Sequence, residues 1–269
     1  MKRRATDVIH VLEQWAPTGI QEPWDNSGLC IGNIQTPVTG VLVCLDCTEE
    51  VVREAVSKGI NMVVTHHPLI FKGLKHLREE TPVERTVALA IKNDVVIYCM
   101  HTNADKVMDG VSGEMARKLG LNPISVLAPD TLCNREAVTE EPCGLGIIGD
   151  LPQPMETADF FDLLKTVFHL KHFKASPMFH NRVSKVALCG GSGSSLISNA
   201  LQQGAHVYVS ADFSYHTYFD TIPHMMLVDI GHYESEAGIL DVICKELKKK
   251  IPTFDVLKTQ IVTNPIIIY

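Results

Sequence analysis

Apolar positions along this chain fall into short strand-like runs separated by segments with helical spacing. Val38–Leu45 is an apolar run that predicts a strand, and Asp46 with Glu49 three residues on is spaced like a capping box for a helix through Lys58. Gly59 ends that helix, and Ile60–Thr65 is the next strand. Thr81, Pro82 and Glu84 supply the N-cap, the first-turn proline and the N3 glutamate of a helix reaching Asn93, and Val95–Met100 is a third strand. Near the start, Val8, Leu12 and Trp15 share one face of a helix that Thr6 is placed to cap. This strand–helix cadence predicts an α/β protein with mixed, mainly parallel sheets.

The pattern then repeats. "VTGVLVCLD" aligns with "VSKVALCGG", and "AVSKGINMVVTHH" with "ALQQGAHVYVSAD", at one offset (183 − 38 = 145; 200 − 55 = 145). "MHTNAD" then aligns with "GHYESE" at a shorter one (232 − 101 = 131; 236 − 105 = 131). An amphipathic helix follows each, with Val111, Met115 and Leu119 in one and Leu240, Ile243 and Leu247 in the other. The expected organisation is two related α/β halves: 1–124, a connecting segment 125–182 packed with the second half, and 183–269, whose C-terminal segment is open to returning to the first. The connection carries a Gly-rich strand, "CGLGIIGD", and a helix from about Thr157 to Phe168.

Composition narrows the function classes. Of 269 residues, 45% are hydrophobic, and the net charge of −7 with no basic cluster beyond Lys248–Lys250 argues against nucleic acid as a partner. The uncharged run from Val186 to Ala211 is broken by Gly, Ser and Gln and lacks the apolar density of a membrane span. The basic start is not followed by the apolar region of a secretory signal. Eight scattered cysteines suit reduced thiols and a cytoplasmic location better than a disulfide scaffold.

Candidate chemistry collects at strand ends, where sites of open α/β sheets form. His66 and His67 end one strand; His101 and Asp105 follow another; His232 and Glu236 follow its counterpart. Imidazole with carboxylate is the donor set of Zn, Mn, Fe or Co sites. Neighbouring strand residues point to opposite faces, so His66 and His67 can share a site only where the strand has ended, a turn that Pro68 favours. Each histidine taken alone is more often a cap or a satisfied core residue. Their joint placement in two related halves reverses that preference.

"WDNSGL" (Trp24–Leu29), "THHPLIFKG" (Thr65–Gly73), "HTNAD" (His101–Asp105), "GGSGSS" and "DIGHYESE" (Asp229–Glu236) resemble, in this order and over nearly the whole chain, the GTP cyclohydrolase 1 type 2-like family, the Nif-three-like dinuclear metal proteins. The resemblance implies a Nif-three-like two-domain α/β subunit, a homohexameric ring, and two divalent ions per chain (Zn, Fe or Mn). By motif, the implied ligands are His66, His67, Asp105, His232 and Glu236, with Glu236 bridging. It also implies hydrolytic opening of a purine nucleotide ring with loss of formate. His101 is then the candidate acid/base, or equally a group that orients Asp105. The alternatives are a non-catalytic metal-binding scaffold or metal-handling protein, and a metal-dependent phosphoesterase. Two departures stand out: the connection is too short for the extra domain that many members insert, and Ile147 occupies a position expected to be polar or basic.

Other signals are weaker. Gly191, Ser192, Gly193 and Ser194 follow a strand and could hold an anion, but they form neither a Walker loop nor a full dinucleotide fingerprint. Cys44 and Cys47 read as core rather than redox residues. His169, His172 and His180 read as a solvated face. Asp212 stands where the repeat places His67 (212 − 145 = 67), and Asp25 with Asn26 either lines the pocket or builds a turn.

Overall fold

The structure is a computed structural model that describes residues 3–130 and 142–268. In chain order the elements are α1 (Ala5–Trp15), β1 (Gly28–Ile31), β2 (Val41–Cys44), α2 (Glu49–Ser57), β3 (Met62–Thr65), α3 (Pro82–Lys92), β4 (Val96–Cys99) and α4 (Thr102–Lys106). There follow α5 (Val111–Leu119), β5 (Ile124–Pro129), β6 (Gly144–Glu156), α6 (Thr157–Phe168), β7 (Lys174–Ala175), β8 (Arg182–Ser192), α7 (Ile197–Gln202), β9 (Val207–Ala211), β10 (Met226–Asp229) and α8 (His232–Glu236). The chain ends with α9 (Ile239–Lys250) and β11 (Val256–Lys258).

Two compact units result, one made of 1–104 and 239–269, the other of 105–238. The division falls inside α4 rather than after position 124. The C-terminal segment belongs with the first unit because β11 adds to its sheet beside β2, Val256 opposite Val41.

The first unit holds a five-stranded sheet, β1-β4-β3-β2-β11, parallel except for β1. Strands β2, β3 and β4 are buried at every position, as strands covered on both faces must be. Their apolar side chains pack with Val51, Val52 and Ala55 of α2 and with Val87 and Ala90 of α3. The second unit holds a six-stranded sheet, β5-β6-β8-β9-β10-β7, whose parallel centre is β8-β9-β10. Its core includes Met115 and Leu119 from α5 and Phe160 and Leu164 from α6. Ile147 is buried there too, so that position contributes packing and no charge.

The internal repeat is written into strand register. Val41 pairs with Met62 and Val186 with Val207, the same separation in each unit (62 − 41 = 21; 207 − 186 = 21). Each parallel trio is also flanked by an antiparallel strand on its third member, β1 on β4 and β7 on β10.

Local signals held unevenly. Thr81 caps α3 by accepting from the Glu84 amide at 3.2 Å, with Pro82 in the first turn. At α2 the cap is Thr48, which accepts from the Val51 amide, not Asp46. At α1 the helix starts one residue before Thr6, with Arg4 at the cap and Asp7 returning a bond to the Arg4 amide at 2.8 Å. Cys44 and Cys47 are buried core thiols, as read. Among the described cysteines, Cys30, Cys44, Cys47, Cys99, Cys189 and Cys244 are free, whereas Cys143 is disulfide-bonded, which departs from the expectation of thiols throughout. No helix among the described residues is long and apolar enough to cross a membrane.

Candidate metal centre

In the first unit the double histidine sits just past the end of β3. The backbone keeps pairing for two residues, His66 N–H donating to the Cys44 carbonyl at 3.0 Å and His67 N–H to that of Leu45 at 2.8 Å. The chain bends there before Pro68, and both rings come together with centroids 5.0 Å apart. His101, between β4 and α4, completes a triangle of imidazoles, 5.4 Å from the His66 ring and 5.6 Å from the His67 ring. One ring nitrogen from each of the three lies within 4.8 Å of the others, so His66, His67 and His101 form a cluster that could hold a metal ion.

What orients these rings decides their chemistry. His66 Nδ1 is 2.7 Å from the Met100 carbonyl oxygen. A carbonyl only accepts, so Nδ1 carries the proton and Nε2 of the neutral ring keeps its lone pair. His67 Nδ1 is 2.7 Å from Asp46 Oδ1, and His101 Nδ1 is 2.8 Å from Asp25 Oδ1. Asp25 is built for that task. Its other oxygen accepts from Ser27 Oγ at 3.0 Å and from Thr102 N and Oγ1 at 3.0 and 2.5 Å. Burial alone would raise the Asp25 pKa, but the His101 hydrogen bond and then the Thr102 hydroxyl hold it well below the usual carboxylate range. "WDNSGL" is therefore both a turn and an imidazole holder.

In the second unit His232 and Glu236 belong to α8, with His232 Nε2 3.2 Å from Glu236 Oε2. His232 Nδ1 is 2.7 Å from Asp212 Oδ2. Carboxylates at both nitrogens, Glu236 foremost, outweigh burial and raise the His232 pKa to about 9. Glu236 itself is buried against the turn that leaves β8. A Cβ on Gly191, whose φ is +61°, would come 2.2 Å from Glu236 Oε1 and 3.2 Å from His232 Nε2; on Gly190 it would come 3.4 Å from Glu236 Cγ. These glycines form a seat for the carboxylate. Asp105 shares the neighbourhood: burial first, then the charges of Asp105 and Glu236, push the Cys189 thiol up to about 12. Lys106, next to Asp105, is buried and paired with Asp130 at 2.7 Å.

The predicted ligands thus divide between the units. His66 and His67 lie in the first, joined by His101; Asp105, His232 and Glu236 lie in the second. His101 gives its Nδ1 to Asp25, not to Asp105. The holders Asp46 and Asp212 were not picked out as such. For Asp212 the repeat offset was a signal, since it places this residue over His67; for Asp46 the capping-box spacing pointed elsewhere. The glycine-rich turn shows packing in place of a phosphate cradle. Gly191 N–H already donates to Ser235 Oγ at 2.9 Å, a Cβ on Gly193 would meet Ser210 Oγ at 2.3 Å, and the following α7 has six residues.

The donors suit a divalent transition metal. Four imidazoles each have Nδ1 held by an oxygen acceptor, the arrangement that fixes tautomer and ring direction in histidine-ligated sites. His206 is a contrast within the same chain: its Nδ1 accepts from the Ser184 amide at 3.1 Å, as a structural histidine does.

The family model described as Duf34/NIF3 (NGG1p interacting factor 3) matches residues 3–265. A Streptococcus pneumoniae protein named GTP cyclohydrolase 1 type 2 homolog is 32% identical over 271 residues, covering 97% of this chain and 98% of the relative. A Clostridium perfringens protein of the same name is 30% identical over 249 residues, 92% of each chain. The crystal structure of a Bacillus cereus protein related to NIF3 superposes with a TM-score of 0.91 at 26% identity, over 99% of both chains. With its double-histidine strand end, its His-to-carboxylate helix and a match spanning nearly its full length, the chain belongs to the DUF34/NIF3 family.

Proposed function

We propose that the protein is a divalent-metal-dependent hydrolase that opens the ring of a purine nucleotide. In this reading His66, His67, Asp105, His232 and Glu236 would hold two divalent ions. The observation that carries the reading is the common Nδ1 restraint on the three proposed histidine ligands, His66, His67 and His232. Bound divalent ions supply Lewis acidity and bring the pKa of a coordinated water to near neutral.

The chain's own groups do the rest. The Met100 carbonyl and Asp46 hold the Nδ1 side of His66 and His67 and so fix the direction of their Nε2 atoms. The glycine seat at Gly190 and Gly191 positions Glu236. His101, backed by the ionised Asp25, serves as the proton carrier whose Nε2 protonates the departing ring nitrogen. A cytoplasmic homohexameric ring is part of the same proposal.

The test is incubation of metal-loaded protein with GTP, followed by enzymatic assay of formate. Formate release that disappears in His101→Ala while metal is retained is the expected result. Phosphate release without formate favours a phosphoesterase. Full metal retention with neither product, across the common purine nucleotides, overturns the hydrolase reading in favour of a scaffold.

A further inference from the structure

Beside the imidazole cluster the first unit keeps two large aromatic side chains in solvent, Trp24 at 59% exposure and Phe71 at 48%. Exposed indoles on irregular loops are often mobile, but this one is held. Its neighbour Asp25 is bonded to His101, Ser27 and Thr102, and Asn26 Nδ2 donates to the Ile70 carbonyl at 2.6 Å, tying the Trp24 loop to the chain just before Phe71. The rings of Trp24 and Phe71 are 6.0 Å apart at 60°; Trp24 and His101 are 6.2 Å apart at 73°; Phe71 and His101 are 6.4 Å apart at 83°. Each pair meets edge-on, so none of these three contacts stacks two rings face to face.

The segment after Phe71 is cationic. Lys72, Lys75 and Arg78 lie in seven residues without an acid, in a chain of net charge −7. The far end of this loop is pinned: the buried carboxylate of Glu84 accepts from the Arg78 amide at 2.8 Å and from the Glu80 amide at 3.2 Å. An exposed aromatic face at the edge of an imidazole cluster, continued in sequence by a positive loop anchored at its far end, matches one ligand chemistry. That ligand has a flat heteroaromatic ring and an anionic tail.

We infer that Trp24 and Phe71 form a stacking shelf for the base of a nucleotide, with Lys72, Lys75 and Arg78 meeting its phosphates. The inference rests on the proposed function only in taking a purine nucleotide as the probe.

The test follows Trp24 directly. The chain has two tryptophans, so Trp15→Phe leaves Trp24 as the sole indole. GTP, guanosine and tripolyphosphate are titrated against metal-free and metal-loaded protein by fluorescence. In parallel, equilibrium dialysis measures GTP affinity in otherwise unmodified protein, in Trp24→Phe and in Trp24→Ala. GTP and, more weakly, guanosine should quench saturably with or without metal, and tripolyphosphate should not. Trp24→Ala should weaken GTP binding roughly ten- to a hundredfold while Trp24→Phe stays near the parent. Lys72→Glu with Lys75→Glu should weaken GTP far more than guanosine. Bound metal without quenching, or equal GTP affinity in Trp24→Ala, overturns the shelf and leaves the metal reading intact. Quenching without any bound metal keeps the shelf and removes the metal reading. A change of sedimentation in Trp24→Ala at unchanged GTP affinity makes the patch a contact between copies and also overturns the inference.

Discussion

Asp46 Oδ1 lies 2.7 Å from His67 Nδ1, while its other oxygen accepts from Thr263 Oγ1 at 2.6 Å. One carboxylate at the end of β2 thus sets a ring at the end of β3 and secures the C-terminal segment. Replacing Asp46 with Ala removes the restraint on His67 without touching a ligand atom. Metal affinity should fall about 10–100-fold, read by titration against a competing chelator, with Asp46→Asn falling less. Unchanged affinity in Asp46→Ala would show that His67 needs no holder.

Gly191 makes a second case, resting on space. A methyl group there would press on Glu236 Oε1 and also force a left-handed backbone on an L-residue. Gly191→Ala should cost about 2–4 kcal/mol in urea unfolding and displace the carboxylate, so metal content falls as well. A variant as stable and as metal-rich as the parent would mean that the seat does not constrain Glu236.

The third prediction concerns pH. Glu54 on α2 accepts from Thr259 Oγ1, and at 3.1 Å from the Gln260 amide, with Lys58 at 3.5 Å. Burial raises its pKa, but the Thr259 and Gln260 bonds and then Lys58 bring it below 4.5. A carboxyl depressed by folding contributes stability that is present above its unfolded pKa and lost as pH falls through the folded value. The segment around 259–263 should therefore hold at neutral pH and open to proteolysis or hydrogen exchange below about pH 4.5. Glu54→Gln should remove that pH dependence; an identical acid profile in the variant would assign it to another group.

Much of this was legible in the residues because the signals were local. Periodicity and the Thr81–Pro82–Glu84 cap locate α3, and the helix expected from about Thr157 to Phe168 is present over Thr157–Phe168. The 145-residue offset foretold matching register in two sheets, since equal spacing between paired strands is what an inherited βαβ unit preserves. What escaped was tertiary. Asp46 has the spacing of a helix cap, and only the fold shows that Thr48 takes that job and leaves Asp46 for His67. Asp25 is 76 residues from the ring it holds. No spacing rule joins a turn near the N-terminus to an imidazole four strands later. The four-residue spacing from His101 to Asp105 leaves an acid/base role and an orienting role equally open, and the restraint on the ring comes from Asp25, elsewhere in the unit.

Whether these residues hold metal is settled by elemental analysis of the purified protein. Inductively coupled plasma mass spectrometry on the parent and on Glu236→Ala, each checked for folding by circular dichroism, should find about two transition-metal ions per chain in the parent. If Glu236 is shared between the two ions, both should be lost in Glu236→Ala. A folded parent without transition metal after reconstitution, or a Glu236→Ala chain that keeps its full complement, contradicts the account.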